Sequence, residues 1–172
     1  MRKLAGLNLS DYDPKFVESI SNLPAEELKD FLIEKVSLPL DDKDRVLVEL
    51  AYQMAEDLCE EGRHHTVCVA RGKSQEIYRG LQLNCSRARE HSVCAESGAI
   101  QNAAQKRDPV VSIVTVRYKP GRSDKAVVPP CGGCIERLRR FCPDSFVIVE
   151  YQGGLIKFPV GYLLSFGYPT KN

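Results

Sequence analysis

Two short segments of this sequence carry side chains that could do chemistry together: Cys94-Ala95-Glu96 and, further on, Pro130-Cys131-Gly132-Gly133-Cys134. A Cys-x-x-Cys pair at a helix start can bind one metal ion, and a distant third cysteine would tie a second helix to it. Zinc in a catalytic site takes three protein ligands and leaves a fourth position open. Cys94, Cys131 and Cys134 meet that count. Each segment is expected to begin a helix, where the partial positive charge favours thiolate over thiol. Glu96, two positions past Cys94, would lie beside the open position without ligating. A structural zinc site would want a fourth ligand instead, for which Cys85, His91 and Cys142 are the candidates. A redox pair would leave Cys94-Ala95-Glu96 unexplained.

The elements that must position these residues are legible from periodicity. Residues 1–44 read as an amphipathic helical extension ahead of a main domain over 45–172. A long helix is expected over 43–61, with Val46, Leu47, Leu50, Met54 and Leu58 on its apolar face and Gly62 as its stop. A hairpin follows, with strands near 66–70 and 76–81 around the turn Arg71-Gly72-Lys73-Ser74. Helix formers fill 95–106, and the run from Val110 to Val116 is the clearest buried strand. A helix over 132–141, a strand over 146–151 and a Gly153-Gly154 turn complete the pattern. Two hairpin strands followed by α-β-α-β imply a layered α/β fold.

Composition narrows the class. The chain has 172 residues, 43% of them apolar and 27% charged, which suits one folded domain with a core of its own. With 24 Lys+Arg against 23 Asp+Glu, there is no basic excess to argue for a nucleic-acid partner. No apolar stretch is long enough for a membrane span or a signal peptide. Seven cysteines, an odd count, argue for reduced thiols and a cytoplasmic location.

The Cys-x-Glu and Pro-Cys-x-x-Cys pair is the signature of zinc deaminases. At these residues the chain resembles the cytidine deaminase family, in its three-cysteine subclass that includes the blasticidin S deaminases. Cys94-Ala95-Glu96-Ser97-Gly98-Ala99-Ile100 is similar to the family's Cys-Ala-Glu-Arg-Thr-Ala-Ile, and Pro130-Cys131-Gly132-Gly133-Cys134 to its Pro-Cys-Gly-x-Cys. The resemblance covers residues from about 45 to 170. It implies a three-layer α/β/α domain with a mixed sheet of about five strands, Zn²⁺ on the three cysteines, and Glu96 as the proton carrier. It further implies a small-molecule substrate, a cytosine nucleoside or a related aminated heterocycle, that loses its exocyclic amine as ammonia. A homo-oligomer, dimer or tetramer, is implied as well.

The chain also departs from the family pattern. Ser97 and Ile135 stand where arginine commonly follows the two motifs. Three thiolates on one ion call for a compensating cation, and His91, Arg87, Arg89 and Arg137 are the candidates. The sugar-binding Asn-x-Glu of the return strand is matched by Gln82 and Asn84, without the carboxylate, when registered on Gly80, and by Leu83 and Cys85 when registered on Cys94. The aromatic residue of the first strand is replaced by His65, which could stack on a base. The competing expectation is a zinc-binding or ligand-binding protein that kept the fold and lost turnover.

Overall fold

The middle of the sheet is Val110–Tyr118, a nine-residue run rich in β-branched side chains that is hidden on both faces for most of its length. The computed structural model describes residues 14–21, 23–85, 87–121 and 125–166. In order these form α1 (Pro14–Ser21), α2 (Ala25–Val36), α3 (Asp42–Leu58), β1 (Thr66–Gly72), β2 (Ile77–Leu81), α4 (Ala95–Gln105) and β3 (Val110–Tyr118). Then come β4 (Lys125–Val127), α5 (Gly132–Phe141), β5 (Phe146–Tyr151) and β6 (Gly154–Pro159). The sheet runs β2-β1-β3-β5-β6, with β4 against the end of β3. Only the β3–β5 pair is parallel, so the sheet is mixed, as expected.

Side chains of each strand alternate between two apolar layers. Val67, Val69, Val114, Val116 and Ile148 pack on α3. Cys68, Ala70, Ile113, Val147 and Val149 face α4 and α5. Helices therefore cover both faces, giving the α/β/α order. The buried face of α3 is Leu47, Val48, Ala51, Met54 and Ala55, whereas Val46 and Leu58 are exposed. The expected stripe was thus rotated by about one position, because small alanines sit closest to the sheet. The helix also ends at Leu58, earlier than Gly62.

Ahead of α3, Ile33 is buried in the layer beneath α4 and α5, and Leu38 exchanges backbone hydrogen bonds with Lys157 of β6. The strand β6 had no sequence expectation. It is an edge strand that ends in Pro159, and its pairing with β5 gives it order that local pattern does not reveal.

Two contacts hold the layers. At Gly80 the helix α4 lies directly on β2: a Cβ there would stand 1.9 Å from the Ala95 carbonyl oxygen and 2.6 Å from the Ala99 nitrogen. Only glycine allows this approach. On the opposite side of the sheet, Asp44 is completely buried. It accepts hydrogen bonds from Lys157 Nζ at 2.7 Å, Ser112 Oγ at 2.8 Å and Arg71 Nη2 at 3.2 Å. It also closes a capping box with Asp41 at the start of α3.

Gly80→Ala should lower unfolding stability by about 3 kcal/mol, since backbone atoms would have to move to admit the methyl group. Asp44→Ala should cost about 3 kcal/mol by leaving the largely buried Arg71 without a carboxylate and Lys157 with Asp41 alone. Urea titration followed by circular dichroism checks both.

Candidate metal and catalytic centre

The two Cys-containing segments meet where α4 and α5 begin. Cys94 is the N-cap of α4 and Cys131 the N-cap of α5, and neither sulfur caps its own helix. An N-cap usually carries Ser, Thr, Asp or Asn, whose oxygen takes one of the helix's free N–H groups. Here the two sulfurs turn toward each other instead, 3.7 Å apart. Cys134, one turn into α5, is buried beside them. The three sulfurs all lie within 4.8 Å of one another.

These distances suit a metal ion. A tetrahedral zinc site with Zn–S bonds of about 2.3 Å has sulfurs about 3.8 Å apart, close to the Cys94–Cys131 separation. The donor chemistry agrees. Burial, with the neighbouring Cys131 charge adding to it, raises the Cys94 pKa. Cys134 is raised by burial and then by the charges of Glu96, Cys131 and Cys94. Thiols that suppress one another's ionisation are the groups a dication would stabilise as thiolates.

Among the described residues no fourth ligand joins this group. The Cys85 sulfur is turned to the His91 carbonyl at 3.6 Å, and Cys142 caps the far end of α5. The arrangement has the three-ligand count of a catalytic zinc site rather than the four of a structural one.

Glu96 is 5% exposed and lies one residue inside α4. Its Oε2 accepts a hydrogen bond from Cys134 Sγ at 3.6 Å. Burial raises its pKa. Its own backbone N–H, the Cys134 thiol, the Thr115 hydroxyl and the Arg137 charge pull the other way. Thr115 of β3 and Cys68 of β1 are register partners on the sheet face beneath Glu96. The buried Cys68 thiol is raised first by burial and then by the Glu96 charge. Sequence reasoning assigned neither of these a role. A hydroxyl in a strand that is otherwise apolar on this face was the available signal for Thr115.

The expected substrate-binding residues gather at the other end of the hairpin. His65 N–H donates to Gln82 Oε1 at 3.4 Å, and the Gly62 N–H donates to His65 Nε2 at 3.1 Å. Gln82 follows Gly80 by two positions, so it shares the strand face turned to α4. The Leu83–Val93 backbone bridge joins this end of the hairpin to the residue before Cys94. Asn84 lies past the bridge and is exposed. His65 also lines an open hollow of about 490 Å³ with Glu61, Gly62, Lys119, Pro120 and Gly121, which includes neither Glu96 nor the three cysteines.

Known proteins resemble this chain in sequence and in fold. The chain is 33% identical over 133 residues to the blasticidin-S deaminase of Bacillus cereus, covering 76% of this chain and 94% of that one. The cytidine deaminase of Bacillus anthracis has a similar structure, with a TM-score of 0.61 at 21% identity over 72% of this chain and 88% of the other. The cytidine deaminase of Burkholderia pseudomallei superposes with a TM-score of 0.56 at 19% identity, over 72% of this chain and 98% of that one. No protein-family model matches the chain. With a relative this similar across nearly its whole length, and with this fold, the chain belongs to the deaminase family that includes blasticidin-S deaminase.

Proposed function

We propose that this member is a zinc-dependent hydrolytic deaminase of a cytosine-type nucleoside or a related small aminated heterocycle, blasticidin S included. The observation that carries the proposal is the placement of a buried carboxyl, Glu96, against a cluster of three thiols that lacks a fourth protein ligand. Cys94, Cys131 and Cys134 would hold the ion. Zinc bound there would act as a Lewis acid and make water nucleophilic at ambient pH.

The remaining work falls to Glu96. Its carboxylate would take a proton from the attacking water and pass it to the ring nitrogen adjacent to the amine-bearing carbon. It would then carry the second proton to the departing amine. Water adds at that carbon, the exocyclic C–N bond breaks, and the products are a ring carbonyl and ammonia. A carboxyl whose pKa burial raises holds a proton more readily than a solvated one, which suits a group that must take one up and pass it on. Thr115 would steady its orientation from the sheet.

For the rest of the substrate, Gln82 and Asn84 would hydrogen-bond the sugar or its equivalent, and His65 would stack on the base. The hydrogen bond between His65 and Gln82 supports treating them as one unit. Residues 45–172 would form the catalytic unit, with 1–44 as an extension that braces β6, although α3 itself begins at Asp42. We also propose a cytoplasmic homo-oligomer. No helix among the described residues is long and apolar enough to cross a membrane.

The purified protein should contain one zinc per chain by elemental analysis. Cys94→Ser and Cys131→Ser should lose it while keeping the far-ultraviolet circular dichroism of the fold. Ammonia release should be measured against cytidine, deoxycytidine, cytosine, blasticidin S and aminated purines. Glu96→Gln should lower the rate on the responding compound by at least about 10³-fold, within the range for a lost proton carrier, with zinc retained. Full zinc occupancy with no ammonia from any compound would favour a binding protein on the same fold.

A further inference from the structure

A zinc ion on three thiolates still carries net negative charge, so the centre needs a positive neighbour. The free N–H ends of α4 and α5 supply part of it. The residues directly after the two motifs supply none: Ser97 places its hydroxyl 4.0 Å from Cys134 Sγ, and Ile135 is buried in the core. Of the cations that the sequence left open, Arg87 is exposed, and His91 is exposed with its Nε2 3.9 Å from Glu90. The Arg89 side chain lies outside the described part of the structure.

Arg137 is placed differently. It sits one turn past Cys134 on α5, and its side chain folds back toward the helix start. A Cβ at Gly133 would stand 3.6 Å from Arg137 Nη1. Gly133 lies between Cys131 and Cys134, so the guanidinium covers the turn that presents two of the three sulfurs. Its charge is also felt across the helix pair, at the Glu96 carboxyl on α4.

We propose that Arg137 is the charge-compensating, positioning residue of the three-thiol centre, its guanidinium laid over the bare backbone of Gly133. This rests on the zinc reading above. Arginine at this position replaces the cation that neither Ser97 nor Ile135 can supply, with its guanidinium at van der Waals distance from where a Gly133 side chain would begin.

The test is zinc affinity of the full-length protein, measured by competition with a chromophoric chelator at fixed pH and salt. Arg137→Gln should bind zinc about tenfold more weakly, the lower end expected for a lost neighbour of a metal ligand. Arg137→Lys should recover most of the loss. Arg140→Gln, the same charge change on the exposed far end of α5, should bind like wild type. Metal-free proteins should unfold at matching temperatures, since Arg137 is exposed. Equal affinity of Arg137→Gln and Arg140→Gln, with zinc lost in Cys131→Ser, overturns the role of Arg137 alone. Equal loss in the Gln and Lys variants also overturns it, because charge would then not be the cause. A wild-type protein that holds no zinc overturns the zinc reading and this inference with it.

Discussion

Burial and neighbouring charge hold the Cys94 and Cys134 thiols back from ionisation beside the buried Glu96 carboxyl, and the helices and sheet together keep this cluster in place. Burial alone raises the pKa values of Cys94, Cys134 and Glu96, and their mutual charges raise the thiols further. Such a cluster is not where a chain collapses spontaneously. It is imposed by two helices whose first turns meet at one point, with Cys94 and Cys131 as their N-caps and the positive ends of both helix dipoles beside them. A dication would convert the repulsion into binding energy, which is why the geometry reads as a metal centre rather than as a chance grouping.

What aims the helices is the sheet. The direction of α4 is set where its first turn rests on Gly80 with no side chain between, and any added atom there would push Ala95, next to Cys94, off its place. The sheet in turn is anchored from behind. Asp44 joins α3 to β1, β3 and β6 through Arg71, Ser112 and Lys157. The same strands carry both duties by alternation. Ser112 meets Asp44 on one face, and Thr115, three positions on, lies under Glu96 on the other. Disturbing either side shifts the platform on which the centre is built.

The centre differs from the family pattern in how its charge is balanced. Ser97 is too short to bring a cation and instead packs its hydroxyl against Cys134. Ile135 serves the core, next to Leu138, because α5 turns its apolar face inward at that position. A helix repeats every 3.6 residues, so a residue three positions beyond Cys134 can return to the same side of α5. Arg137 does so, with its guanidinium beside Gly133. The departures at the hairpin end, Gln82, Asn84 and His65, alter what would contact substrate without touching this arrangement.

The sequence by itself determined the metal-type donor set, Glu96 and the α/β order. Those depend on spacing within short segments and on periodicities that survive without neighbours. The layered fold followed, because a buried strand and amphipathic helices in that order have few ways to cover each other's apolar faces. Tertiary structure alone decided which polar residues act together. Thr115 and Cys68 meet beneath Glu96 only because β1 and β3 pair in one register. Asp44 stands in a charged run, residues 41–45, whose local pattern gives no reason for burial, and it is buried where Lys157, 113 positions away, comes to meet it. Strand β6 took form from its pairing with β5 rather than from its own residues. Among four candidate cations, sequence distance could not choose, since the choice turns on how one side chain folds back over a glycine.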